Sequence, residues 1–347
     1  MPTTPDTSDI GPRTSDDASG FLVPKSAVIA VGGNSLIRAG EKGDISEQLA
    51  NTRRTARAIV QLIRDGLHVV VTHGNGPQVG AALLRSERAA DQVYAQPLDV
   101  CDAATQGEIG YLLQQSLHNE LFAAGLHHPV VTLLTQVVVC RDDPAMTHPT
   151  KPIGPFYSRA DAEDRARQLG WKVVEDAARG YRRVVPSPEP IEIVEQECIR
   201  RMMQDGVLVI ALGGGGIPVV RENGGLAGIE AVIDKDRASA LLACRLQVDY
   251  FIISTDADRV YRDYKKPTQQ GLDRVTAGEI ERDYQAGQFP PGNMGPKIES
   301  ALRFLRDGGP GAAGDTGSAT RNREVIITSY EHVADAVRGT AGTHITN

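Results

Sequence analysis

Asp234, Lys235 and Asp236 stand side by side inside VIDKDRASALL, between two apolar stretches. Three adjacent charges are costly to bury unless each is paired. A lysine between two acids suits phosphoryl transfer, which needs positive charge on the transferring oxygens and a held geometry more than covalent help. A helix cap would account for Asp236 alone, with the helix beginning near Arg237. Lys297, in GNMGPK, follows a glycine turn at a helix start. The helix dipole disfavours a cation there, so the position points to a nearby anion. Lys151, in HPTKPIGP, is held between prolines. A solvated loop lysine and a functional one are equally good readings of it. Thr255-Asp256-Ala257-Asp258-Arg259-Val260-Tyr261 carries two acids, but the acidic ladder stops too early for a calcium loop. A loop along a nucleotide edge, or plain turn chemistry, fits better. His73 ends a strand; transfer to an anion needs no general base, which leaves it a lesser binding role.

Three glycine-rich segments each follow an apolar run: Gly32-Gly33-Asn34-Ser35, His73 to Gly80 (HGNGPQVG), and Gly213 to Gly216. Glycine lets backbone approach a ligand closely, and a following helix would aim free N–H groups at it. Three such loops at one sheet edge favour an anionic ligand, phosphate first. No G-x-x-x-x-G-K-[ST] is present, which excludes a P-loop. Gly74 to Gly80 has the wrong spacing for a dinucleotide fingerprint.

These loops need a scaffold. Ala27–Val31, Val69–Thr72, Val130–Leu134, Val207–Ala211, Tyr250–Ser254 and Glu324–Thr328 are near-continuous apolar runs, the mark of parallel strands covered on both faces. Helical periodicity lies between them, over Glu47–Arg64 and Thr105–Ala124. Thr276 with Glu279 forms a capping box, and Pro296 marks another helix start. The alternation predicts an α/β chain: an open αβα sandwich with a mostly parallel central sheet and ligands at the carboxyl ends of its strands. Residues 1–25 read as a disordered tail and 26–347 as the folded domain. A flap or small subdomain is expected over about 141–185 and a flexible glycine-rich loop over 307–322.

Composition narrows the partners. The 347 residues are 41% hydrophobic, ample for a core, with 37 basic against 44 acidic residues and a net charge of −7. That balance argues against a nucleic-acid or anionic-membrane surface as the main partner. The longest apolar run, VLVIAL, is far too short to span a membrane. Cys101, Cys140, Cys198 and Cys244 form no C-x-x-C pair, which suits reduced thiols in a cytoplasmic protein.

Together, Gly32-Gly33-Asn34, HGNGPQVG, PLDVCDAATQGEIGY (Pro97 to Tyr111), HPTKPIGPFY (His148 to Tyr157), RRVVPSPEP (Arg182 to Pro190), GGGGIPVV, EAVIDKD and MGPK closely resemble the carbamate kinases of the amino-acid kinase superfamily. The motifs run in order from Ala27 to Lys297. The resemblance implies a dimerising αβα subunit that transfers a phosphoryl group reversibly between ATP/ADP and carbamate/carbamoyl phosphate, usually toward ATP in arginine or related breakdown. It implies phosphate contacts for Gly32, Gly33 and Asn34, and a cradle for the carbamate and phosphoryl group at Gly74, Asn75 and Gly76. Gly214 and Gly215 would add to the phosphate site. Lys235 and Lys297 would neutralise the phosphoryl group, Asp236 would hold both, and Lys151 would reach in from the flap. Thr255, Asp256, Asp258, Tyr261, Met294 and Gly295 would line the nucleotide. Mg²⁺ would ride on the nucleotide phosphates, with no protein cage. Related acid kinases carry a lysine where Asn34 stands, so Lys235 would supply that charge. A longer tail, a longer loop after Arg306 and an acid at Asp256 depart from the family's pattern. A kinase of another small carboxylate and a non-catalytic nucleotide-binding regulator are the competing readings.

Overall fold

The computed structural model describes residues 25–33, 36–38, 40–175, 180–290, 294–307 and 323–347. The expectations for residues 1–24, for Asn34 and for 308–322 lie outside them.

All six expected strands fall in one eight-stranded sheet. Its members are β1 (Ser26–Val31), β2 (His68–His73), β3 (Val130–Thr132), β4 (Leu208–Ala211), β5 (Tyr250–Thr255), β6 (Arg274–Thr276), β7 (Glu324–Ser329) and β8 (Thr343–Thr346). The order is β6-β8-β7-β5-β1-β2-β4-β3. The six strands from β7 to β3 are mutually parallel, while β8 pairs antiparallel to β7 and parallel to β6. The pleat sends alternate residues to opposite faces. Val28 and Ala30 enter one core with Phe251, Leu242 and Phe304; Ala27, Ile29 and Val31 enter the other with Ile59, Ile109 and Leu117. Helices α1 (Ile45–Arg64) and α3 (Leu98–Ala123) cover the second face, and α4 (Lys235–Leu246) and α5 (Met294–Asp307) the first. Each large apolar side chain so buried contributes about 1.5–3 kcal/mol. Helix α2 (Gly76–Arg88) opens directly from the second glycine loop.

Three boundaries differ from expectation. Helix α3 starts at Leu98, well before Thr105, with Asp99 in its first turn. Helix α4 starts at Lys235, and its cap is Asp234, which accepts the N–H groups of Asp236 and Arg237; Asp236 is not the cap. Pro296 lies inside the first turn of α5, which Met294 opens. Thr276 and Glu279 form their capping box, and Asp44 with Glu47 forms a second one ahead of α1.

Within the expected flap, Lys151–Tyr157, Tyr181–Val185 and Lys172–Glu175 make a three-stranded antiparallel sheet beside a helix at Arg159–Leu169. Trp171 closes it, edge-on to Tyr157 at 5.6 Å and under the Arg183 guanidinium at 4.8 Å. The sheet docks on α2 at a glycine pair. A Cβ on Gly80 would sit 1.9 Å from the Cα of Gly154, an impossible approach. Gly80→Ala is therefore expected to push the flap off α2 and cost about 1–3 kcal/mol, the range for overpacking. A thermal melt checks this; a variant as stable as the parent would mean the flap shifts freely.

Candidate active site

Strands β1, β2 and β4 are neighbours, and their carboxyl ends carry the three glycine segments side by side. The segments differ in kind. Gly74 to Gly76 leads straight into α2, whose N-terminus faces the sheet edge. Gly213 to Gly216 leads instead into a strand, Ile217–Glu222, which corrects the expectation of a helix after every loop. Its backbone runs through left-handed conformations, with Gly214 at φ 71° and Gly215 at φ 98°. The Gly215 N–H is taken by Leu212 and the Gly216 N–H by Gly213. A Cβ on Gly214 would meet Asn75 Nδ2 at 2.4 Å and Asp102 Oδ1 at 2.5 Å. The third segment is thus a close-packed joint behind the second, and these contacts set Gly214 and Gly215 against protein groups.

The charged residues converge from three elements. Asp236 Oδ1 accepts from Lys235 Nζ at 2.5 Å and Asp236 Oδ2 from Lys297 Nζ at 3.0 Å. Lys235 and Asp236 lie in the first turn of α4, and Lys297 in the first turn of α5. All three side chains are nearly buried, Asp236 at 5% exposure. Burial works against the Asp236 charge, but Lys235 and Lys297 outweigh it and hold the carboxyl below its ordinary range. Burial also opposes the Lys297 charge, and Asp236 reverses that, holding the ammonium above its usual range. Lys235 is driven down by burial first and by Lys297 second, with Asp236 opposing. The Lys235 stem runs past Gly74, whose Cβ position lies 3.3 Å from Lys235 Cδ and 3.9 Å from Gly33 N. The first two loops and both lysines therefore meet at one spot.

Lys151 does arrive from the flap, and its partner is Asp234, at 2.5 Å. Asp234, unexplained by sequence beyond charge balance, thus caps α4 and moors the flap with one carboxylate. Burial pushes this carboxyl up, and Lys151 more than reverses it, so it stays ionised well below the usual carboxylate range. Asp234→Ala removes both functions, while Asp234→Asn keeps a capping oxygen and loses the charge pair. Hydrogen exchange over 151–185 is expected to speed up in both variants. Only the alanine variant is expected to lose the additional ~1 kcal/mol of a missing cap. Unchanged exchange in both would mean the ion pair holds nothing.

The remaining expected residues spread along the β5 edge. Thr255 ends β5, and Asp258 accepts from the Tyr261 hydroxyl at 2.8 Å and pairs with Arg259. Asp256 adds to the field that raises Lys297. Met294 opens α5 and packs partly on the core, and the Gly295 N–H donates to Pro290 at 3.1 Å. His73 is buried, and burial lowers its imidazole to about 4, so it is neutral and packs beside Gly213.

Sequence reasoning passed over Asp102. It is fully buried, accepts from Asn75 Nδ2, and has no partner at Oδ2. Burial pushes this carboxyl up to about 8 against the opposing Asn75 hydrogen bond. One signal was available: Leu98, Cys101, Asp102, Thr105 and Ile109 share the buried stripe of α3, so the acid falls on an apolar face. Among the described residues, no group of three or more His, Cys, Asp or Glu side chains could hold a metal ion.

Comparison with known proteins agrees with this fold. The amino acid kinase family model matches residues 25–312. A carbamate kinase of Thermococcus kodakarensis is 47% identical over 325 residues, 92% of this chain and 99% of that one. One of Staphylococcus haemolyticus is 48% identical over 320 residues, 92% and 98% of the two chains. The structure of carbamate kinase from Giardia lamblia bound to AMP-PNP superposes with a TM-score of 0.83 at 42% identity, covering 93% of this chain and 98% of that one. The same enzyme bound to citric acid gives 0.85 at 41%, covering the same shares. By sequence over nearly its whole length, and by fold, this chain belongs to the amino acid kinase family and, within it, to the carbamate kinases.

Proposed function

We propose that the protein catalyses reversible phosphoryl transfer between carbamoyl phosphate and ADP, forming ATP and carbamate. The observation that carries this is the Lys235–Asp236–Lys297 bridge set against the Gly33 and Gly74 backbone at the carboxyl edge of the sheet. In the ATP-forming direction a terminal oxygen of ADP attacks phosphorus. The bond from phosphorus to the carbamoyl oxygen breaks, and the electron pair leaves with carbamate, which decays to ammonia and bicarbonate. The two ammonium groups neutralise charge on the equatorial oxygens, and Asp236 aims them. Gly32, Gly33, Gly74 and Gly76 offer backbone to the phosphate oxygens, and Lys151 approaches from the flap. The β5 edge, from Thr255 to Tyr261, with Met294 and Gly295, borders the nucleotide. The Giardia relative is solved bound to AMP-PNP, which supports a nucleotide as one of the substrates.

Mg²⁺ accompanies the nucleotide in this reading. Asp234 and Asp236 are both engaged by lysines, so the ion is carried by phosphate oxygens and supplies charge neutralisation there. ATP formation in arginine or related carbamoyl-compound breakdown, in the cytoplasm, is the physiological setting we favour. No helix among the described residues is long and apolar enough to cross a membrane. A homodimer is favoured by exposed Tyr111 and Phe122 on α3 and Leu134 beside edge strand β3.

ATP production from ADP, Mg²⁺ and carbamoyl phosphate tests the reading, run beside acetyl phosphate and acylated amino-acid phosphates. Preference for carbamoyl phosphate is expected. Preference for another acyl phosphate would move the enzyme to a different carboxylate, and nucleotide binding without turnover would make it a regulator.

A further inference from the structure

Asn75 is the cap residue of α2, and asparagine is among the best capping side chains, yet its side chain makes no cap hydrogen bond. Its amide turns away from the helix instead. Asn75 Nδ2 donates to Asp102 Oδ1 and to Thr105 Oγ1, the latter at 2.8 Å, both acceptors on α3. Asn75 is 2% exposed and Asp102 is fully buried. Gly214 leaves no room for a Cβ against this pair. The first turn of α2 also contains Pro77, which has no N–H to offer. A capping side chain would therefore occupy donors that the helix has few of.

We infer that Asp102 is a positioning residue: by holding the Asn75 side chain against α3, it keeps that side chain off the N-terminus of α2 and leaves the helix N–H groups open to the acyl phosphate. This deepens the proposed function and rests on it. Asp102 touches no reacting atom and acts through Asn75. A carboxyl group suits the task because it accepts from the Asn75 amide, whereas an apolar residue would remove one of its two acceptors on α3 and loosen its hold to the Thr105 hydroxyl. Full burial favours the neutral acid, which still accepts and adds no negative charge beneath an anion site. That is the physical reason an acid is tolerated on the buried stripe of α3.

The test measures steady-state ATP formation and ADP affinity in the full chain. Asp102→Ala is expected to raise KM for carbamoyl phosphate about 10–100-fold and to leave the Kd for ADP within about twofold, an effect of the size of losing a charge-assisted hydrogen bond or two. Asp102→Asn, with an oxygen in the same place, is expected to recover most of that loss. In an Asn75→Ala background, Asp102→Ala is expected to add little, because the two act as one unit. Unchanged KM in Asp102→Ala, equal damage from Asp102→Asn, or full additivity with Asn75→Ala would each overturn the inference. If the alanine variant does not fold, isosteric Asp102→Leu replaces it with the same expectations. A parent protein that makes no ATP overturns the substrate reading alone. Protection by inorganic phosphate in a thermal melt then decides the coupling: protection lost in Asp102→Leu supports it, and equal protection overturns it.

Discussion

Lys297→Ala and Lys235→Ala are each expected to lower kcat for ATP formation by about 10²–10³-fold, with the protein still folded. Each ammonium lies in a nearly buried site, where a fixed charge acts on a phosphoryl group with little screening by water. Removing one preorganised donor of this kind costs about 2.7–4 kcal/mol of transition-state stabilisation. Charge develops on the transferring oxygens in the transition state, so the loss should fall on kcat more than on KM. Folding should survive because Asp236 keeps one lysine partner in either variant. Steady-state kinetics with a thermal melt checks this. Turnover within a few-fold of the parent in either variant would remove that lysine from the mechanism.

Asp236→Ala is expected to be more damaging still, and in stability as well as rate. Two buried ammonium groups share this one carboxylate, and without it they face each other. Breaking a buried ion pair by deleting one partner costs about 3–5 kcal/mol, because the other charge is left uncompensated. The remaining lysines would move apart or shed a proton, and turnover should fall at least as far as in the single lysine variants. The pH dependence has a definite sign. The folded-state carboxyl sits below its unfolded value, so its contribution is present above that unfolded value, about 3.9. It is lost as pH falls through the folded value. Denaturant melts of the parent should therefore steepen in acid below about pH 4, and those of Asp236→Ala should lack that component. Parent and variant curves that stay parallel across this range would show that Asp236 stabilises nothing.

The Asp234 carboxylate shows where sequence reasoning stops. A cap and an ion pair are each simple local ideas, and DKD offered candidates for both. The choice between Asp234 and Asp236 depends on a two-residue shift of register at the start of α4, which no pattern of charges reveals. The partner of Asp234 then lies on Lys151, brought in by the flap. Asp102 was hidden for a related reason. Its partner is Asn75, contributed by the second glycine loop, and the space beside the pair is left by Gly214, contributed by the third. The short strands β6 and β8 also escaped notice, since RVT and THIT have neither the length nor the apolar run of a sheet core. Sheet pairing supplied what propensity did not.

What the sequence determined by itself was set by local periodicity and residue chemistry. Unbroken apolar runs mean strands buried on both faces, so six parallel strands and their carboxyl-edge loops were legible. The order of the motifs carried the family, and lysines beside glycine turns carried the chemistry. Tertiary structure alone decided which charge faces which. Asp236 became the shared partner of Lys235 and Lys297, Asp234 the cap and flap mooring, and Gly213 to Gly216 a packed joint between neighbouring loops. Hydrogen bonds and ion pairs act over about 3 Å. Residues that meet at that distance here come from the loop after β2, α3, the start of α4, α5 and the flap, far apart along the chain, and only the packing of those elements brings them together.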